Sequence, residues 1–247
     1  MLEKVGNEMA RSSILKGLGL LGITFIIISF AHGVWISTKE YQEKSGLTEG
    51  VEIKHKDKCL EINVNYPKII DKESKNINNE IVTWTNSWIK EVEDVLEDYK
   101  KSGYICNLPY QLFSNYYITK ESNDILSFYI DYYQFTGGAH GSTTRKGYVI
   151  DRKIGKKLVI KELFKKGYDY KTVIDKEIKV QISADKERYF DEGTTYKGIT
   201  DDVKFYIKGE NLVVYYGQYE IAPYASGIPE FNIPLSKFNG NLVYDKI

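Results

Sequence analysis

The apolar pattern of this chain changes period several times, and each change predicts an element. From Gly17 to Thr38 there is no Asp, Glu, Lys or Arg. As a helix, such a run crosses about 30 Å of hydrocarbon. Lys4, Arg11 and Lys16 precede it, with Glu3 and Glu8. Basic flanks stay cytoplasmic, so residues beyond about 38 are expected outside. Residues 1–13 then form a short cytoplasmic tail, and residues 14–36 a transmembrane anchor or uncleaved signal. Ser29 and Ala31 fit the small-x-small pattern of a signal peptidase site, so secretion after cleavage is the alternative. Residues 37–50 are polar, contain glycine and predict a tether.

Beyond the tether the period falls to two. In "CLEINVNYP", Leu60, Ile62, Val64 and Tyr66 face one way and Glu61, Asn63 and Asn65 the other, which predicts a strand ended by Pro67. The period then rises to that of a helix over roughly 72–100. Ile77, Ile81, Trp84, Trp88, Val92, Val95 and Tyr99 fall on one face, and Ser102 and Gly103 stop it. The two tryptophans suit that core face better than a carbohydrate platform. Two aromatic strands follow, "FSNYYITKES" and "ILSFYIDYYQF", separated by a turn. "TGGAHGS" breaks the second. "KGYVIDRKIGKKLVI" predicts a hairpin. A second helix fits roughly 169–190 through Val173, Ile174, Ile178, Val180 and Ile182. "KFYIKGENLVVYYG" predicts another hairpin, and "YEIAPYASGIPEFNIPLSKF" completes the pattern.

Strands arriving in runs, not one per helix, predict an α+β fold: antiparallel sheets with two main helices packed on them, after one N-terminal transmembrane helix. An N-terminal α+β lobe over 51–145 and a C-terminal α+β lobe over 146–247 fit this order, as does one merged domain.

Composition changes the picture in three places. Lysines and arginines balance the acids with no net formal charge, which argues against nucleic acid as a partner. Twenty-one tyrosines suit strands, and suit surfaces that bind through a ring with a polar tip. Cys59 and Cys106 lie on the expected outer side, where disulfides form. A bridge would close a loop of about 48 residues and contribute roughly 4 kcal/mol; two buried free thiols are the other reading. No metal pattern is present.

Candidate chemistry is sparse. The chain has no G-x-S-x-G, H-E-x-x-H or P-loop. Acids such as Asp131, Asp151 and Glu220 have no spacing that selects a catalytic pair, so no catalytic residue, metal or cofactor is expected. Two stretches stand out as binding candidates. In "TGGAHGS", glycines Gly137 and Gly138 let backbone amides converge on a ligand, with Tyr133, Phe135 and His140 beside them. A plain chain reversal at positive φ fits the same residues. In "YEIAPYASGIPEF", Tyr219 and Tyr224 sit in a fixed irregular segment that is either a sheet-edge crossover or an exposed edge for a partner.

Together, "YYQFTGGAHGSTTRKGYVID", "KKLVIKELFK" and "FYIKGENLVVYYGQYEIAPYASGIPEFNIPLSKF" resemble the extracytoplasmic module of RsiV-type anti-sigma factors. The same domain pair precedes the catalytic domain in some Gram-positive peptidoglycan deacetylases. The resemblance spans residues 51–247. It implies a non-catalytic cell-surface module that binds a protein ligand of the lysozyme type or a cell-wall glycan, with membrane attachment through residues 14–36. In that family, ligand binding exposes a signal peptidase site while the cytoplasmic part holds a sigma factor. The tail over residues 1–13 is short for that part. An anti-sigma factor with a truncated or misassigned start is therefore one alternative. A secreted cell-wall-associated hydrolase or its accessory domain is the other.

Overall fold

The computed structural model describes residues 26–30, 33–37, 46–103 and 105–244. Within the expected membrane segment, β1 (Ile26–Phe30) and β2 (Gly33–Ser37) pair as antiparallel strands where the sequence predicts helix. The run is rich in β-branched residues, and a hairpin is one way to satisfy its backbone. The rest of 14–36, including Ala31 of the cleavage pattern, lies outside the described residues, as does the tail over 1–13. No described helix is long and apolar enough to cross a membrane. Chain contacts separate Met1–Tyr41 from a compact unit over Gln42–Ile247.

That unit is built on a six-stranded sheet, ordered β3 (Thr48–Lys56), β4 (Leu60–Ile69), β5 (Tyr110–Glu121), β6 (Ile125–Phe135), β7 (Ser142–Asp151) and β8 (Lys156–Lys157). All pairs are antiparallel except β4 with β5, which α1 (Lys75–Lys101) joins as a crossover. Parallel neighbours need such a crossover, and α1 supplies it where the sequence predicts antiparallel pairing. A second sheet, ordered β11 (Glu230–Pro234), β10 (Asn211–Tyr215) and β9 (Lys204–Lys208), is antiparallel throughout. The second helix, α2, spans Tyr170–Ala184 and is capped by Asp169, which accepts from the Thr172 amide at 3.2 Å.

Pro67 does not end its strand. It lies inside β4 opposite Gly50, but β5 pairs with β4 only from Leu60 to Val64. Beyond Val64 the strand has one neighbour, and a missing N–H is tolerated at such an edge.

The sheet is covered on both faces, which explains why β6 is apolar nearly throughout. Leu126, Phe128, Ile130 and Tyr132 join the core beneath α1, while Ile125 and Tyr129 join the core shared with α2 and β9–β11. Position 146, where the sequence places the join between lobes, falls inside β7, with Lys146 paired to Ile130.

On α1 the buried stripe is Ile77, Ile81, Thr85, Trp88, Ile89, Val92 and Leu96. Val95 and Tyr99, assigned to that stripe from sequence, are exposed. A 3.6-residue helix drifts off any fixed spacing, and the stripe moves to Ile89 and Leu96. On α2, Val180 is likewise exposed while Ile174, Ile178 and Ile182 are buried. Asn78 ties α1 to β4, bonding both the Ile69 amide and carbonyl at 2.8 Å. Cys59 and Cys106 are bridged, with Cα atoms 5.3 Å apart. The bridge ties the start of β4 to the segment entering β5.

Candidate functional site

Two ends of the large sheet differ in what they carry. Thr48, where β3 begins, lies opposite Ile69, and β3 runs nine residues to Lys56, about 30 Å at strand rise. The far end carries the start of β5, the turn after β6 and the start of β7, because Gln111 pairs with Phe135 and Gln134 with Ser142. "TGGAHGS" is therefore a turn at the end of the sheet remote from Thr48.

Its glycines do the work of a turn. Gly137 and Gly138 have φ of 95° and 94°, where a side chain is strained, although a Cβ at either would meet nothing. Gly141 is needed for space: a Cβ there would lie 2.5 Å from the Tyr133 ring and from the Gln134 carbonyl oxygen. The turn closes down on Tyr133, which stacks on Phe113 at 6.0 Å.

The closed turn presents His140, which meets the second sequence-predicted segment. The His140 ring stacks on Tyr224 with centroids 3.8 Å apart. Its Nε2 lies 3.3 Å from the Tyr219 hydroxyl, and its Nδ1 lies 2.9 Å from the Gly141 carbonyl oxygen. A carbonyl only accepts, so neutral His140 carries its proton on Nδ1, and Tyr219 donates to Nε2. Tyr219 and Tyr224 are 5.8 Å apart. Tyr219 has φ of 64° and is 56% exposed. A bulky residue held in left-handed backbone is uncommon and marks a constrained site.

Of the seven residues predicted as ligand-contacting, the structure brings His140, Tyr219 and Tyr224 together. Tyr133, Gly137 and Gly138 shape the turn that presents His140. Phe135 ends β6, half-buried. Sequence reasoning missed Gln218, whose Oε1 accepts the Thr143 amide at 2.8 Å and pins the Tyr219 segment against β7. It also missed Arg145, in the same strand. That guanidinium binds Asp131 through two 2.7 Å bonds, bonds Glu230 as well, and lies 3.8 Å over the Tyr129 ring. Burial opposes its charge, but Asp131 more than offsets this and raises its pKa. Arg145 thereby couples β6, β7 and β11. Its only signal in sequence was a charge inside a segment patterned as strand.

Nothing in this arrangement supplies a nucleophile and base. His140 stacks and hydrogen-bonds among tyrosines, and the acids singled out from sequence have structural partners. Asp131 holds Arg145, Asp151 accepts from Tyr244, and Glu220 pairs with Lys204 at 2.6 Å. No group of three or more metal-binding side chains occurs among the described residues.

Residues 53–143 match the family model described as Deacetylase PdaC, and residues 161–236 match the one described as Protein of unknown function (DUF3298). Over 210 residues the chain is 26% identical to the anti-sigma-V factor RsiV of Bacillus subtilis (strain 168), covering 79% of this chain and 70% of that protein. Two solved structures of DUF3298 family proteins share its fold. One, from Bacteroides fragilis NCTC 9343, has a TM-score of 0.56 at 23% identity and covers 82% of this chain and 96% of that one. The other, from Pseudomonas aeruginosa PAO1, has a TM-score of 0.60 at 18% identity and covers 80% and 95%.

Proposed function

The chain carries an RsiV-like module of paired domains, PdaC-type then DUF3298, and from that premise we propose a membrane-anchored extracytoplasmic sensor that binds a protein ligand of the lysozyme type without catalysis. The observation that carries this reading is the junction of His140, Tyr219 and Tyr224. Segments 79 residues apart in the chain meet there through a hydrogen bond, at one end of a rigid sheet, with a tyrosine exposed on strained backbone. Exposed rings on a preorganised loop are the usual anchors of a protein interface. Residues 14–36 would hold the module at the membrane, and Ser29 and Ala31 would be the cleavage point that ligand binding exposes.

The test uses the full chain and lysozyme in a calorimetric titration. Binding that Tyr219→Ala and Tyr224→Ala each weaken at least tenfold supports the reading, since truncated hot-spot aromatics cost about 2 kcal/mol or more. Absence of binding by the unmodified chain, or binding indifferent to both substitutions, refutes it. The similarity to RsiV favours one second reading, output through a sigma factor. Co-purification of a sigma factor with the full chain tests it.

A further inference from the structure

A sheet edge carries unpaired amides and carbonyls that a fold must cover or leave to a partner. The edges of this fold are treated differently. On β11, Gln181 covers Asn232, donating to its carbonyl at 3.0 Å and accepting from its amide at 3.2 Å. On β7, beyond the short pairing with β8, Gln218 accepts the Thr143 amide and the Tyr215 hydroxyl accepts the Gly147 amide. β9 is turned onto the large sheet, where the Ile207 amide donates to Ser127 at 2.8 Å. β3 pairs only with β4 among the described residues and has no such cover.

The ladder fixes which groups β3 leaves open. The Ile70 amide donates to the Leu47 carbonyl at 3.0 Å, just before the strand, and the Asp57 amide to the Leu60 carbonyl at 2.9 Å, just after it. Bonded and non-bonded pairs alternate in an antiparallel ladder, and the register between these two points is unbroken. Val51, Ile53 and His55 therefore bond to β4, while Gly50, Glu52, Lys54 and Lys56 turn their amides and carbonyls outward. The amides of Asn65 and Ile69 agree with this phase. They lie opposite Glu52 and Thr48 and donate away from β3, to Ser114 and Asn78. Among the described residues, no side chain bonds the outward groups of Gly50, Glu52, Lys54 or Lys56.

The side chains along this edge complement themselves in one register. A two-fold axis sets β3 antiparallel to its own copy, and outward-bonding residues must meet outward-bonding ones. Centred on Glu52 or on Lys54, the pairing faces that charge with itself. Centred on Val51, it places Glu52 opposite Gly50 and Lys54 opposite Thr48. Centred on Ile53, it places Glu52 opposite the partner's Lys54, and symmetry repeats the pair. Ile53 then meets Ile53 in a close non-bonded pair. Glu52 and Lys54 suit this role, being largely exposed and 2.8 Å apart on one face of the strand. Val51 and Ile53, on the other face, are half-buried against the core beneath α1, and a second copy would extend that apolar stripe.

We propose that the module self-associates through β3, which pairs antiparallel with a second copy of this chain in the register centred on Ile53. The two six-stranded sheets become one continuous sheet. A single strand edge buries less than the roughly 1,200–2,000 Å² of a standard interface, so the dimer is weak and the charge register supplies its specificity. In the strand order, β4, β5 and β6 separate β3 from β7, which puts the His140 junction roughly 20 Å across the sheet from the pairing edge. Each copy keeps its junction on an outer flank, and a ligand that engages both gains by avidity. The pairing stands apart from what that junction binds.

The test is sedimentation velocity of the full chain in detergent over a concentration series. A dimer that grows with concentration is expected. Glu52→Lys and Lys54→Glu should each lower dimer affinity at least tenfold, because each turns both symmetry-related pairs from attraction to repulsion. The double exchange should restore it. Circular dichroism and the melting temperature should stay unchanged in all three, since both side chains are exposed. The native cysteines are bridged to each other, so Ile53→Cys reads the register: mild oxidation should link it into a covalent dimer. Lys179→Cys, exposed on α2, should stay unlinked under the same conditions. A monomer at every concentration would leave the edge to a strand of another protein and overturn the proposal. A dimer indifferent to both reversals, as association through residues 14–36 would give, overturns it too. So would failure of the double exchange to rescue, or cross-linking at Ile53→Cys no faster than at Lys179→Cys.

Discussion

Tyrosines of the sheet interior and tyrosines of the far end share a side chain and differ in everything around it. Tyr132 is buried beneath α1, with its hydroxyl 2.9 Å from Thr85 and its ring against Trp84 and Trp88. Tyr196 is buried near α2 and donates to Asp175 at 2.6 Å. Tyr215 is buried where β10 meets β7. Tyr219, four residues later, is exposed on left-handed backbone and donates to a histidine ring. The hydroxyls of Tyr132, Tyr196 and Tyr215 are tied to partners across elements, which is how a core keeps a polar tip. Tyr219 is held by its backbone, by Gln218 and by its hydrogen bond to His140, and it is still more than half exposed. The comparison separates scaffold from site better than residue type does.

The largest expected break lies in the scaffold, at Arg145. Arg145→Met should cost about 3–5 kcal/mol in urea unfolding, because it leaves Asp131 and Glu230 partly buried and unpaired. A loss below about 1 kcal/mol would mean that Arg145 is a surface charge and the site has no such foundation.

Cleavage of the Cys59–Cys106 bridge comes next. Cys106→Ser, with Cys59→Ser to avoid a free thiol, should lower stability by roughly 4 kcal/mol on the chain-entropy account. The loss should appear in denaturant midpoint without altering the His140 junction, since the bridge ties β4 to β5. Selective loss of lysozyme binding at unchanged stability would contradict that division.

A smaller effect is expected at high pH from the buried tyrosines. Burial pushes Tyr132 up to about 12, with Thr85 pulling it back, and burial likewise pushes Tyr215 and Tyr216 up to about 12. The ordinary tyrosine value is 10.0. Below the unfolded value both states are protonated and these groups contribute fully. As pH rises from 10 toward about 12 the unfolded chain ionises first, so stability falls through that window. Tyr215→Phe should flatten the fall in a pH series of melts. A flat profile in the unmodified chain would remove the distinction between the tyrosine classes.

The sequence carried the scaffold well and the site in part. Strand alternation at Leu60–Tyr66 and helical spacing at Ile77–Val92 follow from burial on one face, and a linear pattern records which positions are buried. The parallel β4–β5 pair and the turn to Ile89 and Leu96 were not legible, because they depend on which element lies alongside. For the site, two irregular segments were marked by glycine and proline alone. Their meeting was not, since 79 residues separate His140 from Tyr219.

The finest test of the comparison is Tyr219→Asn, set beside Tyr132→Asn. Asparagine tolerates left-handed backbone, and Tyr219 contributes little burial, so stability should stay within about 0.5 kcal/mol. The same change at Tyr132 removes a fully buried ring and places an amide in its cavity, a mechanism that costs several kcal/mol. Lysozyme affinity should respond in the opposite sense: lost in Tyr219→Asn, and reduced in Tyr132→Asn only as far as the fold is. Equal stability losses at both positions would make Tyr219 another packing residue. The strain at φ 64° would then belong to the fold. Loss of binding with stability retained would place that strain at the ligand, where a ring held out on constrained backbone gives up little conformational freedom on binding.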